Sequence, residues 1–361
     1  MKVVAFRADA SLQIGSGHVM RCLTLADALR RSGAECHFIC RAHPGHLLTL
    51  ISERGYSVHP LAVSAQAPVD GVLTHARWLG VTQEQDARDC ASLLQQLCPD
   101  WLVVDHYALD AQWEGVQRVH CGKLLVIDDL ADRSHLSDLL LDQNLGRTTQ
   151  AYRGLVPDDS VVLAGPQYAL LRPEFAQLRD YSLRRRGQLS SVRQILVSMG
   201  GVDLPNATTQ VLRTLRDCGL ANDCRVTVIM GATAPWTEQV KELLQELPFA
   251  GEVMVNVRDM SQLMANSDLA IGAAGGSSWE RCCMGLPTLL VTLADNQLRG
   301  AQALHDAKAA RWLGSAVDIS QRLASALAEV SAALGAFNLA AAAVCDGEGA
   351  GRVASYMLES A

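Results

Sequence analysis

One histidine in this chain stands where a glycine-rich turn becomes a helix. Residues 13–21 read Gln-Ile-Gly-Ser-Gly-His-Val-Met-Arg, downstream of a β-branched start at Val3 and Val4. Gly15 and Gly17 let the backbone take positive φ or approach a ligand closely. Beyond His18, the apolar positions Cys22, Leu25, Ala26 and Leu29 follow the i, i+3, i+4, i+7 spacing of an amphipathic helix. That helix ends at Arg30-Arg31-Ser32-Gly33, with cations in its last turn and glycine just beyond. A strand–loop–helix unit of this kind presents unpaired N–H groups that suit a diphosphate or an oxyanion. The positive end of the helix dipole favours the neutral imidazole, which can take a proton from water. The plainer alternative is a partly buried histidine at a helix end.

A second unit of the same type lies in the C-terminal half, where Leu269-Ala-Ile-Gly-Ala-Ala precedes Gly275, Gly276, Ser277, Ser278, Trp279 and Glu280. Either serine can cap the helix, the amides suit a pyrophosphate, and Glu280 is placed to accept hydrogen bonds from ribose hydroxyls. Gly200 and Gly201 form another strand-end turn. Asp105, His106 and Tyr107 close a strand, where they either terminate it or touch a substrate. Three constellations are not expected to carry chemistry. Asp128 and Asp129 are adjacent and should point apart. Cys40-x-x-His43-x-x-His46 offers only three zinc ligands in a loop. The turn at His18 lacks the lysine of a P-loop, and no Gly-x-Ser-x-Gly elbow occurs. No metal or cofactor is expected.

The elements that position these residues alternate along the chain. Strands are expected at Val3–Arg7, Cys36–Arg41, Ser57–Leu61, Trp101–His106, Leu124–Asp128 and Leu139–Asn144. In the second half they are expected at Gln194–Met199, Arg225–Met230, Glu252–Val257, Leu269–Gly272 and Pro287–Leu293. Unbroken hydrophobic runs such as Trp101–Val104 mark strands buried on both faces of a parallel sheet. The polar, basic stretch Asp180–Arg193 is the expected linker. Two doubly wound α/β domains follow, residues 1–185 and 186–361, the second ending in an Ala-rich helical tail. Ligands of such domains bind beyond the carboxyl ends of the strands, in an interdomain cleft.

The chain has 361 residues, 49% hydrophobic and 19% charged, with a net charge of −7. That composition is globular, and the negative charge argues against nucleic-acid partners. No apolar run reaches membrane-spanning length, no signal peptide is read at the N-terminus, and no membrane partner is expected. The eleven cysteines, scattered and without a CxxC pair, suit reduced thiols in a cytoplasmic protein. A monomer is expected.

The segments Phe6-Arg7-Ala8-Asp9, Gln13–Cys22, Asp105-His106-Tyr107, Tyr168–Phe175 and Ser198–Asp203 resemble, in order, those of the UDP-2,4-diacetamido-2,4,6-trideoxy-β-L-altropyranose hydrolases of pseudaminic acid biosynthesis. The similarity runs from residue 1 to about residue 315. It implies the GT-B architecture shared with nucleotide-sugar glycosyltransferases. It implies hydrolysis to UDP and free sugar, with inversion and without metal, His18 acting as the base. It also implies that Arg172, Glu280 and Asn296 contact the nucleotide sugar, with Asp9, Asp105, His106 and Tyr107 as further substrate contacts. A GT-B glycosyltransferase and a non-catalytic nucleotide-sugar binder are the alternatives.

Overall fold

A computed structural model describes residues 1–63 and 72–359. Thirteen strands form among them: β1 (Val3–Ala8), β2 (Glu35–Arg41), β3 (Ser57–Leu61), β4 (Trp101–Asp105), β5 (Lys123–Ile127), β6 (Leu139–Asp142), β7 (Val161–Ala164), β8 (Gln194–Ser198), β9 (Arg225–Met230), β10 (Ala250–Val255), β11 (Leu269–Ala273), β12 (Thr288–Thr292) and β13 (Arg311–Ser315). The helices are α1 (Gly17–Arg31), α2 (Leu48–Glu53), α3 (Gln83–Leu97), α4 (Ala111–Gln117), α5 (Pro173–Arg186), α6 (Ala207–Arg216), α7 (Thr237–Gln245), α8 (Met260–Asn266), α9 (Ser277–Cys283), α10 (Leu298–Asp306), α11 (Ile319–Ala332), α12 (Leu334–Val344) and α13 (Gly349–Glu359).

Two compact units result, one of residues 1–170 with 348–361, the other of residues 171–347. The first holds a seven-stranded sheet in the order β3-β2-β1-β4-β5-β6-β7, the second a six-stranded sheet in the order β10-β9-β8-β11-β12-β13. All pairings are parallel. In each sheet the order reverses once, between β1 and β4 and between β8 and β11. In open α/β sheets that reversal opens the ligand crevice at the strands' carboxyl ends.

The expected boundary near residue 185 is corrected at both ends. Helix α5 belongs to the second unit because its polar side chains bind carbonyls there. Arg179 donates to Cys283, Ala342 and Cys345, and Ser182 to Met284. Arg186 donates to Ser267 and to the last carbonyls of α8 and α9. Helix α13 returns to the first unit. Its Val353, Ala354 and Met357 join the core of Val19, Leu23 and Trp101, and Trp101 Nε1 donates to Met357 O at 2.9 Å. The strands β7 and β13 were not read from the sequence. Both are short edge strands with half-exposed faces, and neither shows a clear alternation.

The first sheet is packed on both faces. Alternation along β1 sends Val4, Phe6 and Ala8 to the α1 and α13 side, and Ala5 to the opposite layer with Leu102 and Val104. Arg7 takes the same side as Ala5 and is fully buried. Its guanidinium meets Asp9 at 2.6 Å and Asp86 of α3 at 2.7 Å, and Arg41 joins Asp86 at 2.6 Å. Burial by itself would raise the Asp9 and Asp86 carboxyls, but the arginines override it and hold both below the usual range.

The same sign applies to Asp105 and Asp128, where Arg21 with His18, and Arg133, outweigh burial. A carboxyl lowered in the folded state contributes stability above its unfolded pKa, about 4, and loses it as pH falls below that. Asp142 works the other way. Burial and neighbouring Asp129 push it up to about 6, so protonation between pH 6 and about 4 favours the fold. Urea unfolding should therefore show a midpoint that drops steeply below about pH 4. A midpoint indifferent to acid would remove these pairs from the stability balance.

Candidate functional site

In the first unit, β1 and β4 pair in register, with Ala8 opposite Asp105. The chain leaves β1 and turns through a loop closed by Gly15 N–H donating to Ser11 O at 2.8 Å. Gly15 has φ 80°, which explains glycine there. Helix α1 starts at Gly17 without a side-chain cap and with no acid in its first turn. His18, its second residue, is thereby brought over the end of β4. Its Nδ1 lies 2.6 Å from Asp105 Oδ1. His18 is 8% exposed and Asp105 is fully buried.

One helical turn further, Arg21 clasps the same carboxylate, Nε to Oδ2 and Nη2 to Oδ1, both at 2.6 Å. Its Nη1 reaches Asp129 Oδ2, also at 2.6 Å. The Tyr107 hydroxyl donates to that oxygen at 2.6 Å, and its ring stands edge-on to His18 with centroids 4.6 Å apart. Trp78 stacks on Tyr107 at 5.8 Å. A carboxylate that accepts Nδ1–H assigns the proton acceptor of a neutral ring to Nε2. The arrangement is a histidine held by a buried acid, a geometry able to activate a hydroxyl or water.

The structure separates the remaining first-unit candidates. Asp105 reaches His18 and Arg21, not open space. Asp9 is fully buried, bound by both Nη atoms of Arg7 and by Arg41 N–H at 2.7 Å. His106 is buried at 3% exposure; its Nδ1 accepts from Ala108 N–H at 3.1 Å and its Nε2 faces Asp9 at 3.3 Å. Asp9 and Asp105 thus spend their carboxylate oxygens on internal partners, whereas His106 Nε2 is buried with no hydrogen-bond partner. Tyr107 alone among them stands against the histidine. Asp128 and Asp129 point apart as expected: Asp128 binds Arg133 at 2.8 Å and Tyr152 at 3.0 Å, and Asp129 binds Arg21 and Tyr107. Among the described residues, no group of three or more His, Cys, Asp or Glu side chains could hold a metal ion.

In the second unit, both glycine-rich segments fall at the β8/β11 reversal. Gly200 has φ 86°, and the loop at Gly201 runs so close to Gly231 that a Cβ there would lie 1.9 Å from Gly201 O. The following helix, α6, is already capped. Asp203 accepts from Ala207 and Thr208 N–H, each at 2.9 Å. At α9 the expected serine cap is absent: the residue before the helix is Gly276 and no side chain caps it. The Ser277 and Ser278 hydroxyls accept instead from Arg281, at 3.1 and 3.0 Å.

Glu280 is raised by burial, with Arg172 and Arg281 opposing. Arg172 is close enough to act on Glu280, and it also donates to Arg258 O at 3.1 Å. Asn296 is exposed on a single turn, Asp295–Gln297. Gln297 next to it lies 3.9 Å from where a Gly275 Cβ would be and accepts from Leu293 N–H. The structure therefore brings Gly275, Gly276, Ser277, Ser278, Glu280 and Arg172 into one neighbourhood, with Asn296 adjoining through Gln297.

Arg21, Trp78, Arg281 and Gln297 were not singled out from sequence. Arg21 carried a signal, since it stands three residues after His18 on the same helix face. The others depend on tertiary contacts that spacing does not encode.

In proton NMR, a His18 Nδ1–H donated to a buried carboxylate should give a downfield resonance that disappears in Asp105→Asn. A spectrum unchanged by that substitution would contradict the pair.

Residues 195–343 match the glycosyltransferase family 28 C-terminal domain. Among curated proteins, the chain is 31% identical to the spore coat polysaccharide biosynthesis protein SpsG of Bacillus subtilis, over 45% of this chain and 46% of that protein. It is 29% identical to the UDP-2,4-diacetamido-2,4,6-trideoxy-beta-L-altropyranose hydrolase of Campylobacter jejuni, over 60% of this chain and 66% of that protein. The chain thus spans about half to two thirds of the length of the curated relatives it matches. Among solved structures it aligns with MurG of Acinetobacter baumannii at a TM-score of 0.73 and 15% identity, over 99% of this chain and 100% of that one. With the two parallel sheets, this likeness establishes a two-domain α/β fold of Rossmann-like units, as in the GT-B proteins.

Proposed function

We propose that this chain is an enzyme that hydrolyses a UDP-linked 2,4-diacetamido-2,4,6-trideoxy sugar, UDP-2,4-diacetamido-2,4,6-trideoxy-β-L-altropyranose being the substrate named for the Campylobacter relative. The observation that carries the reading is the 2.6 Å pair between His18 Nδ1 and Asp105, placed at a sheet reversal by an uncapped, glycine-led helix. Such a pair equips His18 to take a proton from a bound group. A pure nucleotide-sugar binder would not need it.

In this reading the second unit holds UDP. Glu280 accepts from the ribose hydroxyls, Arg172 and Asn296 add polar contacts, and the backbone of Gly200, Gly201, Gly275 and Gly276 with Ser277 and Ser278 faces the diphosphate. In the first unit, His18 Nε2 takes a proton from water. Asp105 holds the ring and stabilises the cation that forms. The turn at Gly15 and Gly17 lets the sugar come close to the start of α1. Water attacks the anomeric carbon and UDP leaves as a stable anion, so no general acid is needed for the leaving group, unlike a glycosidase acting on a sugar alkoxide. The sugar inverts, and neither metal nor cofactor takes part.

Transfer of the sugar to an acceptor is the second reading. The match of residues 195–343 to a glycosyltransferase C-terminal domain supports it, although such a half would serve hydrolysis equally. Incubating the protein with the UDP-sugar and no acceptor separates the two. Stoichiometric UDP and free sugar support hydrolysis, and turnover that waits for an added acceptor contradicts it. His18→Gln should lower the rate by ~10²–10⁴-fold while UDP still binds. A variant within a few-fold of wild type would remove His18 from the reaction.

A further inference from the structure

Burial of a charge is costly unless a counter-charge accompanies it. The buried arginines of the first unit obey this rule: Arg7 meets Asp9 and Asp86, Arg21 meets Asp105 and Asp129, and Arg133 meets Asp128. Arg281 in the second unit is met only by Glu280, its neighbour in sequence, which acts on it electrostatically without an ion pair. It is 2% exposed, yet it makes no salt bridge among the described residues. Its guanidinium donates only to neutral groups, Ala273 O at 2.7 Å, Ser278 Oγ at 3.0 Å and Ser277 Oγ at 3.1 Å. Its Nε is buried with no hydrogen-bond partner in the structure.

Arg186, also buried without a carboxylate, sits instead on a set of carbonyls that includes the negative ends of α8 and α9. Arg281 has one carbonyl, and both of its hydroxyl partners belong to the glycine-rich loop. The fold also makes room for it. A Cβ on Gly272 would lie 2.7 Å from Arg281 Nη1 and 2.8 Å from Ser198 O, so glycine in the middle of β11 lets the guanidinium lie beneath the loop.

We infer that Arg281 is a positioning residue whose directly paired counter-charge is the ligand's: it holds the loop Ala273–Ser278 from below and makes it selective for the diphosphate of a nucleoside diphosphate over the uncharged nucleoside. The inference rests on UDP being bound by the second unit. The cation acts through the serine hydroxyls, which it polarises by donating to their oxygens so that their own hydrogens turn outward to an anion. Burial, the main influence on Arg281, pushes its guanidinium down to about 10, and neighbouring Glu280 offsets only part of that.

Calorimetry of UDP and uridine on wild type, Arg281→Gln and Arg281→Lys tests this. Wild type should prefer UDP. In Arg281→Gln, UDP affinity should fall roughly tenfold to a hundredfold with uridine affinity nearly unchanged. Arg281→Lys, which keeps a cation in the same space, should retain most of the preference. It gives the same reading if the glutamine variant does not fold. A folded Arg281→Gln with the wild-type ratio of UDP to uridine affinity overturns the inference. So does a folded Arg281→Lys that loses the preference, or a parallel loss of both ligands, the mark of a merely structural role. A wild-type protein that binds neither ligand refutes the proposed function itself, a result distinct from these.

Discussion

The first unit is organised by the need to pair carboxylates that its own topology buries. Parallel strands under helices end in a region closed on both faces, and four of them deliver an aspartate there. Asp9 follows β1, Asp105 ends β4, Asp128 follows β5 and Asp142 ends β6, all without exposure. Each is met by an arginine, Arg7, Arg133 and Arg147 from within five residues and Arg21 from the distant helix α1. Removing one member of such a pair leaves an uncompensated buried charge, which typically costs about 3–5 kcal/mol. These pairs therefore fix where α1, α3 and the strand-end loops sit. The histidine inherits its position from them, because the carboxylate that orients His18 is itself locked by Arg21.

The second unit repeats the strand order and departs from the charge pattern. At its reversal the helix after β8 is closed internally by Asp203, while the loop after β11 is uncapped and has a buried cation beneath it with no ion-pair partner among the described residues. One unit thus places a directly paired histidine and acid at its strand ends, and the other places a cation that no carboxylate pairs directly. That division suits the proposed reaction, in which one part moves a proton and another holds an anion.

The buried strands were legible because both their faces are apolar. Unbroken runs such as Trp101–Val104 and Leu124–Ile127 leave little alternative to a parallel sheet. The glycine-rich turns were legible because positive φ and close backbone approach restrict the residue types allowed. The edge strands β7 and β13 lack both signals. The domain boundary was misplaced because α5 is polar and basic on its surface, which reads as a linker, whereas its arginines in fact bury against carbonyls. Nor did sequence distinguish Asp9 from Asp105. Both are acids near a strand end, and only the parallel register that sets Ala8 opposite Asp105 decides which one meets His18. Arg281 was invisible for a related reason, since its lack of an ion-pair partner is a property of everything around it.

The central claim is that His18 directs water to the sugar, and the fate of the water's oxygen tests it most directly. Turnover of the UDP-sugar in H₂¹⁸O should place the label in the anomeric hydroxyl of the free sugar, with inverted configuration when read before mutarotation. Label in the β-phosphate of UDP would mean attack at phosphorus and would contradict the account, as would a retained configuration, which demands a covalent glycosyl-enzyme.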